Sequence, residues 1–138
     1  MKVFLDTNIV LDLLLQRPGY ELSAQILDLQ EKGKIHTCVS ILTMVNAAYI
    51  YRKSVGEAIA VVNLKYLSAF MDILPMDNDM LQKAISMEGP DFEDLFQAVC
   101  ASTNGCDVII TRNTKDFKGL NAQTPAEFLS QVGKVRKK

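Results

Sequence analysis

Three polar clusters, each set against an apolar run, hold most of the residues able to do chemistry in this chain. The first is Asp6-Thr7-Asn8, with Asp12 four residues beyond Asn8. On a helix, Asn8 and Asp12 would share a face near Asp6. A carboxylate that closes an apolar strand is costly without a partner, so Asp6 reads as a metal ligand or catalytic group in preference to a simple helix cap. Asp12 reads equally well either way. The second cluster, Asp91-Phe92-Glu93-Asp94, opens a run from Leu95 to Ala101 that is apolar on nearly every side and should be buried. Asp91 suits the N-cap, where it would answer the free amides and dipole of the first turn. Asp94 differs, because it shares a face with the small residues Ala98 and Ala101. Its charge would point along a tight interface, and a cation there resolves the conflict. The third cluster is Thr111-Arg112-Asn113 followed by Lys115-Asp116-Phe117. Its hydroxyl, amide and guanidinium groups suit a phosphate or a metal-bound water, whereas Asp116 is better explained as closing a turn.

Clustered carboxylates with hydroxyl and amide neighbours are what Mg²⁺ or Mn²⁺ require, since both prefer oxygen ligands and keep waters for exchange with substrate phosphate. Such an ion lowers the pKa of its water, aligns it for in-line attack on a phosphodiester and offsets charge on the phosphoryl oxygens. His36, the one histidine, is not needed for this and reads as structural within a strand. Asn46 stands among Met44, Val45, Ala47 and Ala48, a setting in which a polar side chain usually has an assigned partner.

The elements that must position these clusters alternate. Short apolar runs at 2–6, 35–39, 72–75 and 107–111 predict strands, with a weaker one at 120–123. Helical spacing covers 9–16, 20–32, 41–53, 55–71, 79–87, 91–104 and 126–132. Pro18-Gly19 and Gly33 bracket the second helix, Gly89-Pro90 precede the sixth and Gly105 ends it, while Ser40 and Asp91 suit N-caps. Val3-Phe4-Leu5 and Val108-Ile109-Ile110 lack polar alternation, so both faces of the sheet should be covered, which favours an α/β fold with a parallel sheet between helix layers. In such a sheet ligands bind beyond the carboxyl ends of the strands, where the first and third clusters fall.

The 138 residues, 49% hydrophobic and 22% charged, suffice for one domain that buries its own core without disulfide or metal staples. No repeat or linker divides the chain, which reads as a single domain over 1–133 and a basic tail over 134–138. A net charge of -1 gives no global electrostatic case for nucleic acid. The charge is uneven, however: residues 115–138 carry six Lys or Arg against two acids, and residues 1–114 nine against fourteen. Cys38, Cys100 and Cys106 lack metal-ligand spacing and read as reduced core residues. The apolar stretch from Val3 to Leu15 is broken by Asp6, Asn8 and Asp12, so it is neither a leader nor a membrane span, and a cytoplasmic protein is expected.

Four pieces taken in order resemble the PIN-domain family, metal-dependent nucleases that include VapC-type toxins. They are Leu5-Asp6-Thr7-Asn8 with Asp12, Ser40-x-x-Thr43-x-x-Asn46, Asp91-Phe92-Glu93-Asp94-x-x-Gln97-Ala98, and Ile110-Thr111-Arg112-Asn113-x-x-Asp116-Phe117. The resemblance spans essentially the whole chain. It implies a three-layer sandwich with a five-stranded parallel sheet in the order 3-2-1-4-5 and a site between strands one and four. It further implies that Asp6 and Asp94 are metal ligands binding Mg²⁺ or Mn²⁺, that Thr111 and Asn113 serve the same catalytic site, and that RNA is the substrate. Asn8, Asp12, Asp91, Arg112 and Asp116 are then supporting or substrate-contacting positions. A homodimer and a small antitoxin, as in type II toxin–antitoxin pairs, are implied as partners, with Tyr49, Tyr51, Val61, Val62, Leu64, Tyr66 and Leu67 offering a surface. One catalytic position departs from the family: most members carry Glu where this chain has Asn46. That leaves a PIN-like RNA- or partner-binding domain with impaired catalysis as the alternative. A phospho-receiver domain built on Asp77, Asp79, Thr111 and Lys115 fits less well, as does a haloacid-dehalogenase-like phosphatase, whose second aspartate would fall at Asn8.

Overall fold

Val3, Phe4 and Leu5 lie in the innermost strand of the sheet, and their uninterrupted apolar character follows from that position. The computed structural model describes residues 1–89, 91–117 and 119–136, for 134–136 the backbone alone. Strand β1 (Lys2–Leu5) pairs in parallel with β2 (His36–Ser40) on one side and β4 (Val108–Ile110) on the other, with Phe4 in register with Cys38 and Ile109. Strands β3 (Asp72–Leu74) and β5 (Ala122–Gln123) form the edges, and the order is β3-β2-β1-β4-β5. This is the expected 3-2-1-4-5 sheet. It differs from the 2-1-3-4-5 order of receiver domains, which removes that reading.

Alternate residues of each strand feed different layers. Val3, Leu5, Val39, Val108 and Ile110 face α1 (Thr7–Leu15), α2 (Tyr20–Glu31), α3 (Ile41–Val55), α4 (Glu57–Phe70) and α7 (Pro125–Arg136), which contribute Ile9, Val10, Ile26, Leu29, Ala47, Leu67 and Phe128. Phe4, Cys38, Leu74 and Ile109 face α6 (Phe92–Thr103) and a 3-10 turn (Thr114–Phe117) through Ala98, Cys100, Ala101 and Phe117. Helix α5 (Asn78–Ser86) packs outside α6 through Met80 and Ala84 against Val99. Among the described residues, no helix is long and apolar enough to cross a membrane.

Several boundaries shift for local reasons. The first strand stops one residue early because Asp6 turns out as the N-cap of α1, its carboxylate accepting from the Thr7 amide. The last helix starts one residue early, with Pro125 in its first position, where a missing N–H costs nothing. That helix runs past 133 to Arg136, so the start of the expected tail is helical; Lys137, Lys138, Lys118 and Pro90 lie outside the described residues. Asn104 and Gly105 end α6 as expected, Gly105 at φ +68. In α6 only Gln97 to Ala101 are buried, Leu95 and Phe96 are half-buried, and Phe92 is exposed beside Phe96. Tyr51 and Leu67, expected on a partner surface, are core residues instead, and the Tyr51 hydroxyl accepts from Asn63. Cys38 and Cys100 are buried thiols, whereas Cys106 is half-buried with its sulfur 3.5 Å from that of Cys38. His36 is exposed at the start of β2.

Candidate active site

The chain leaves β1 toward β2 on one side, and β4 joins β1 on the other, so the carboxyl ends of β1 and β4 flank the switch point of the sheet. Asp6 and Thr111 stand there. Asp6 is 6% exposed and Thr111 fully buried. One Asp6 oxygen accepts from the Thr7 amide at 2.8 Å and the other from the Thr111 hydroxyl at 2.9 Å, while the Asp6 amide donates to the Ile110 carbonyl. The Thr111 oxygen in turn accepts from the Asn113 amide at 3.1 Å. Asp6 is thus both a helix cap and a buried acid, two roles that the sequence presents as alternatives.

Opposite it, the first turn of α6 carries three acids with three different tasks. Asp91 caps the helix by accepting from the Asp94 amide at 3.1 Å. Asp94 is half-buried in the cleft and close to Asp116, whose carboxylate is held by the Asn113 side chain. Glu93 reaches across to α3, where Asn46 donates to it at 2.9 Å. Asp6, Thr7, Asn8, Leu11, Asn46, Tyr49, Ile50, Asp91, Glu93 and Asp94 line the resulting cleft of about 360 Å³.

Beneath the cleft runs a buried set of uncharged bonds. Gln97 donates to Thr7 Oγ1 at 2.9 Å and Thr43 Oγ1 at 2.7 Å, and its carbonyl accepts from Ser40 Oγ at 2.6 Å. Thr7 and Thr43 hydroxyls pair at 2.8 Å, and Ser40 caps α3 by accepting from the Thr43 amide. These bonds tie α1, β2, α3 and α6 together.

Asp12 goes elsewhere. It is buried on α1, away from the cleft lining, 3.3 Å from Arg112 and 3.7 Å from Arg17, so these two cations are engaged there. Asn8 faces the cleft and Asp12 does not, although they are one helical turn apart. Among the described residues, no basic side chain forms an ion pair with Asp6, Asp91, Glu93 or Asp94.

The consequence is proton affinity. Burial pushes the Asp6 carboxyl above its ordinary value despite the bonds from Thr111 and Thr7, and the charges of Glu93 and Asp91 push it further. Asp94 is pushed up to about 7 by burial first, then by its shared hydrogen bond with Asp116 and the charge of Asp6. Two acids of one cleft therefore both hold protons more tightly than free carboxyls do.

The sequence pattern of the PIN domain matches residues 2–115. The chain belongs to the PIN-domain family. This PIN domain is 30% identical over 124 residues to Ribonuclease VapC1 of Aquifex aeolicus (strain VF5), covering 84% of this chain and 83% of that protein. Its fold is similar to VapBC2 from Rickettsia felis bound to a promoter DNA fragment, with a TM-score of 0.71, 17% identity, and coverage of 90% of this chain and 98% of that one. It is likewise similar to a toxin–antitoxin complex from Klebsiella pneumoniae, with a TM-score of 0.66, 23% identity, and coverage of 89% and 97%.

Sequence reasoning singled out Asp6, Asp94, Thr111 and Asn113 and missed the parts played by Gln97 and Glu93. A signal for Gln97 was available: it is the one polar residue between Leu95 and Ala101. Glu93 gave none, because a Glu in a first helical turn is explained by the macrodipole alone.

Stability should register both the acids and the bonds beneath them. In the metal-free PIN domain, Asp6 and Asp94 retain protons that the unfolded chain releases near pH 4, so their contribution to stability is fully present below about pH 4 and is lost as pH rises, for Asp94 through about 7. Melting temperatures measured in EDTA from about pH 5 to about pH 8 should fall less for Asp94→Asn than for the parent, and parallel curves would remove the assignment. Gln97→Leu leaves buried hydroxyls short of partners, each at about 1 to 3 kcal/mol. Urea unfolding should therefore show a loss of at least about 2 kcal/mol, whereas a change under about 0.5 kcal/mol would show that the hydroxyls re-pair among themselves.

Proposed function

We propose that this PIN domain is an endoribonuclease that hydrolyses RNA phosphodiester bonds with Mg²⁺ or Mn²⁺, and that it is the toxin of a toxin–antitoxin pair. The observation that carries this reading is the buried Asp6 carboxylate at the switch point, opposed by Asp94 and without a protein cation among the described residues. The name of the 30% identical relative supports ribonuclease activity, and the similar toxin–antitoxin complex supports a small inhibitory protein as partner.

The donor set fits a hard divalent ion. It is all oxygen, and its two inner acids resist ionisation chiefly because they are buried. Among the described residues, no three His, Cys, Asp or Glu side chains form a ready-made ligand cluster. Mg²⁺ does not need one, since it binds through one or two carboxylates and fills its remaining positions with water and substrate phosphate. Asp6 and Asp94 are the residues that would hold it. When bound, the ion supplies an activated water and charge stabilisation at the phosphoryl oxygens.

The chain's own residues do the positioning. Thr7 and Thr111 each bond one oxygen of Asp6, which fixes the orientation of its carboxylate. Asn113 holds Asp116 at the flank of Asp94, and the hydrogen bond between Asp94 and Asp116 adds to burial in raising the proton affinity of Asp94. Asn8 and Asp91 line the cleft where substrate enters. Arg112 is directed to Asp12, so its part is to tie the end of β4 to α1.

Asn46 favours a second reading, an RNA- or partner-binding domain with impaired catalysis, because an amide there brings no charge. Against it stands Glu93, whose carboxylate Asn46 holds at the cleft wall. Incubation with total RNA, with and without Mn²⁺, separates the two. Metal-dependent cleavage that falls at least about a hundredfold in Asp6→Asn supports the nuclease. Binding without cleavage selects the second reading. Metal affinity is read apart from activity: Mn²⁺ at about 100 times its dissociation constant should stabilise the parent by about 2.7 kcal/mol in thermal melts, and clearly less in Asp6→Asn or Asp94→Asn.

The same reading includes a homodimer. A groove between α3 and α4 is lined by Met44, Val45, Ala48, Val61 and Leu64, with Val62 and Tyr66 exposed beside it. An apolar face of this kind marks a protein interface. Light scattering at tens of micromolar should give twice the chain mass, and Val62→Glu should return it to the monomer; a monomeric parent would remove this element.

A further inference from the structure

We propose that Tyr49 is a stacking platform for an unpaired base of single-stranded RNA beside the scissile phosphate, and that Lys53 takes the neighbouring phosphate. The inference rests on the endoribonuclease reading and adds the residues that grip the strand beside the acids.

Helix α3 carries the platform. Asn46, Tyr49, Ile50 and Lys53 recur at the three- and four-residue spacing of one helical face, a different face from the Val45 and Ala48 groove. Three of the four line the acidic cleft, and Lys53 stands one turn further out, about 10 Å from Asn46 along the helix axis. The stripe is a track leading from the acids to a cation.

Tyr49 is 54% exposed although it borders the cleft. Its ring carries the Lys53 ammonium at 4.1 Å and the Arg52 guanidinium at 5.4 Å from the centroid. Contacts of this kind at exposed sites are weak, and a stacked base outweighs them. A base arriving on the ring releases Lys53, which is then free to meet the phosphate beside that base.

Charge makes such a handhold necessary. RNA must bring phosphate to a cleft lined by Asp6, Asp91, Glu93 and Asp94. Arg17 and Arg112 are tied to Asp12, and Arg52 lies 3.6 Å from Glu57. Lys53 has no carboxylate within ion-pair distance among the described residues. A duplex keeps its bases stacked on one another and offers none to a tyrosine ring, so the arrangement selects unpaired RNA.

Fluorescence anisotropy tests this with a labelled mixed-sequence RNA strand and the same strand annealed to its complement, using full-length Asp6→Asn protein so that nothing is cleaved. The single strand should bind more tightly than the duplex. Tyr49→Ala should weaken single-strand binding about 5- to 150-fold, and Tyr49→Phe should restore it. Lys53→Gln should lower the salt dependence of binding by about one unit of slope. Exposure of Tyr49 predicts unchanged melting temperatures, which are checked in parallel. Unchanged affinity in Tyr49→Ala, or equal losses for strand and duplex, overturns the proposal. So does a change of mass in solution without a change of affinity, which would place Tyr49 in a protein interface. If the parent cleaves RNA with metal while Tyr49→Ala keeps its KM, the platform fails and the nuclease stands; if the parent neither binds nor cleaves RNA, the nuclease reading itself fails.

Discussion

One uncharged side chain, Gln97, fixes the relative positions of the elements that carry the acids. It has a donor group that serves two hydroxyls and a carbonyl that receives a third, and all four residues are buried. A buried amide has few acceptable arrangements because any group left without a partner is expensive. Helices α1, α3 and α6 could slide over an apolar core at small cost, but not over this set of bonds. Asp6, Asn46 and Asp94 ride on those elements, so the spacing of the acids is set by neutral hydrogen bonds below them.

That division of labour has an electrostatic rationale. If the acids were themselves the glue, they would need cations, and the cleft would be filled by its own salt bridges. Here two nearby arginines are occupied by Asp12, a carboxylate on α1 away from the cleft lining. The inner acids are left without cations, and burial first, then the charges of neighbouring acids, raises their proton affinity. The bonds that fix the packing and the acids that line the cleft thereby belong to different residues only one or two turns apart.

Helix α3 divides its faces in the same way. Its inward residues Thr43 and Ala47 enter the floor and the core, Met44, Val45 and Ala48 border an apolar groove, and Asn46, Tyr49 and Ile50 form a cleft wall. Three environments on one helix explain why its hydrophobic pattern is blurred: an apolar side chain on it is not evidence of core. Tyr51 is buried while Tyr49 is exposed, and helical periodicity alone does not assign their roles.

The sequence by itself determined the alternation of elements, the parallel sheet and the clustering of oxygen donors after the first and fourth strands, because these depend on local signals: apolar runs, caps and glycines. Its resemblance to a family supplied the strand order, which composition and spacing do not contain. What the tertiary structure decided are the pairings. Whether Asp12 joins Asp6 or Arg112, whether Glu93 answers its own helix dipole or crosses to Asn46, and whether Gln97 is solvated or a hub, all depend on which residues far apart in the chain meet. A side chain such as Asp or Gln has the same local preferences in each case. Only the packing of helices on both faces of the sheet, which sets distance and excludes water, assigns one partner to each.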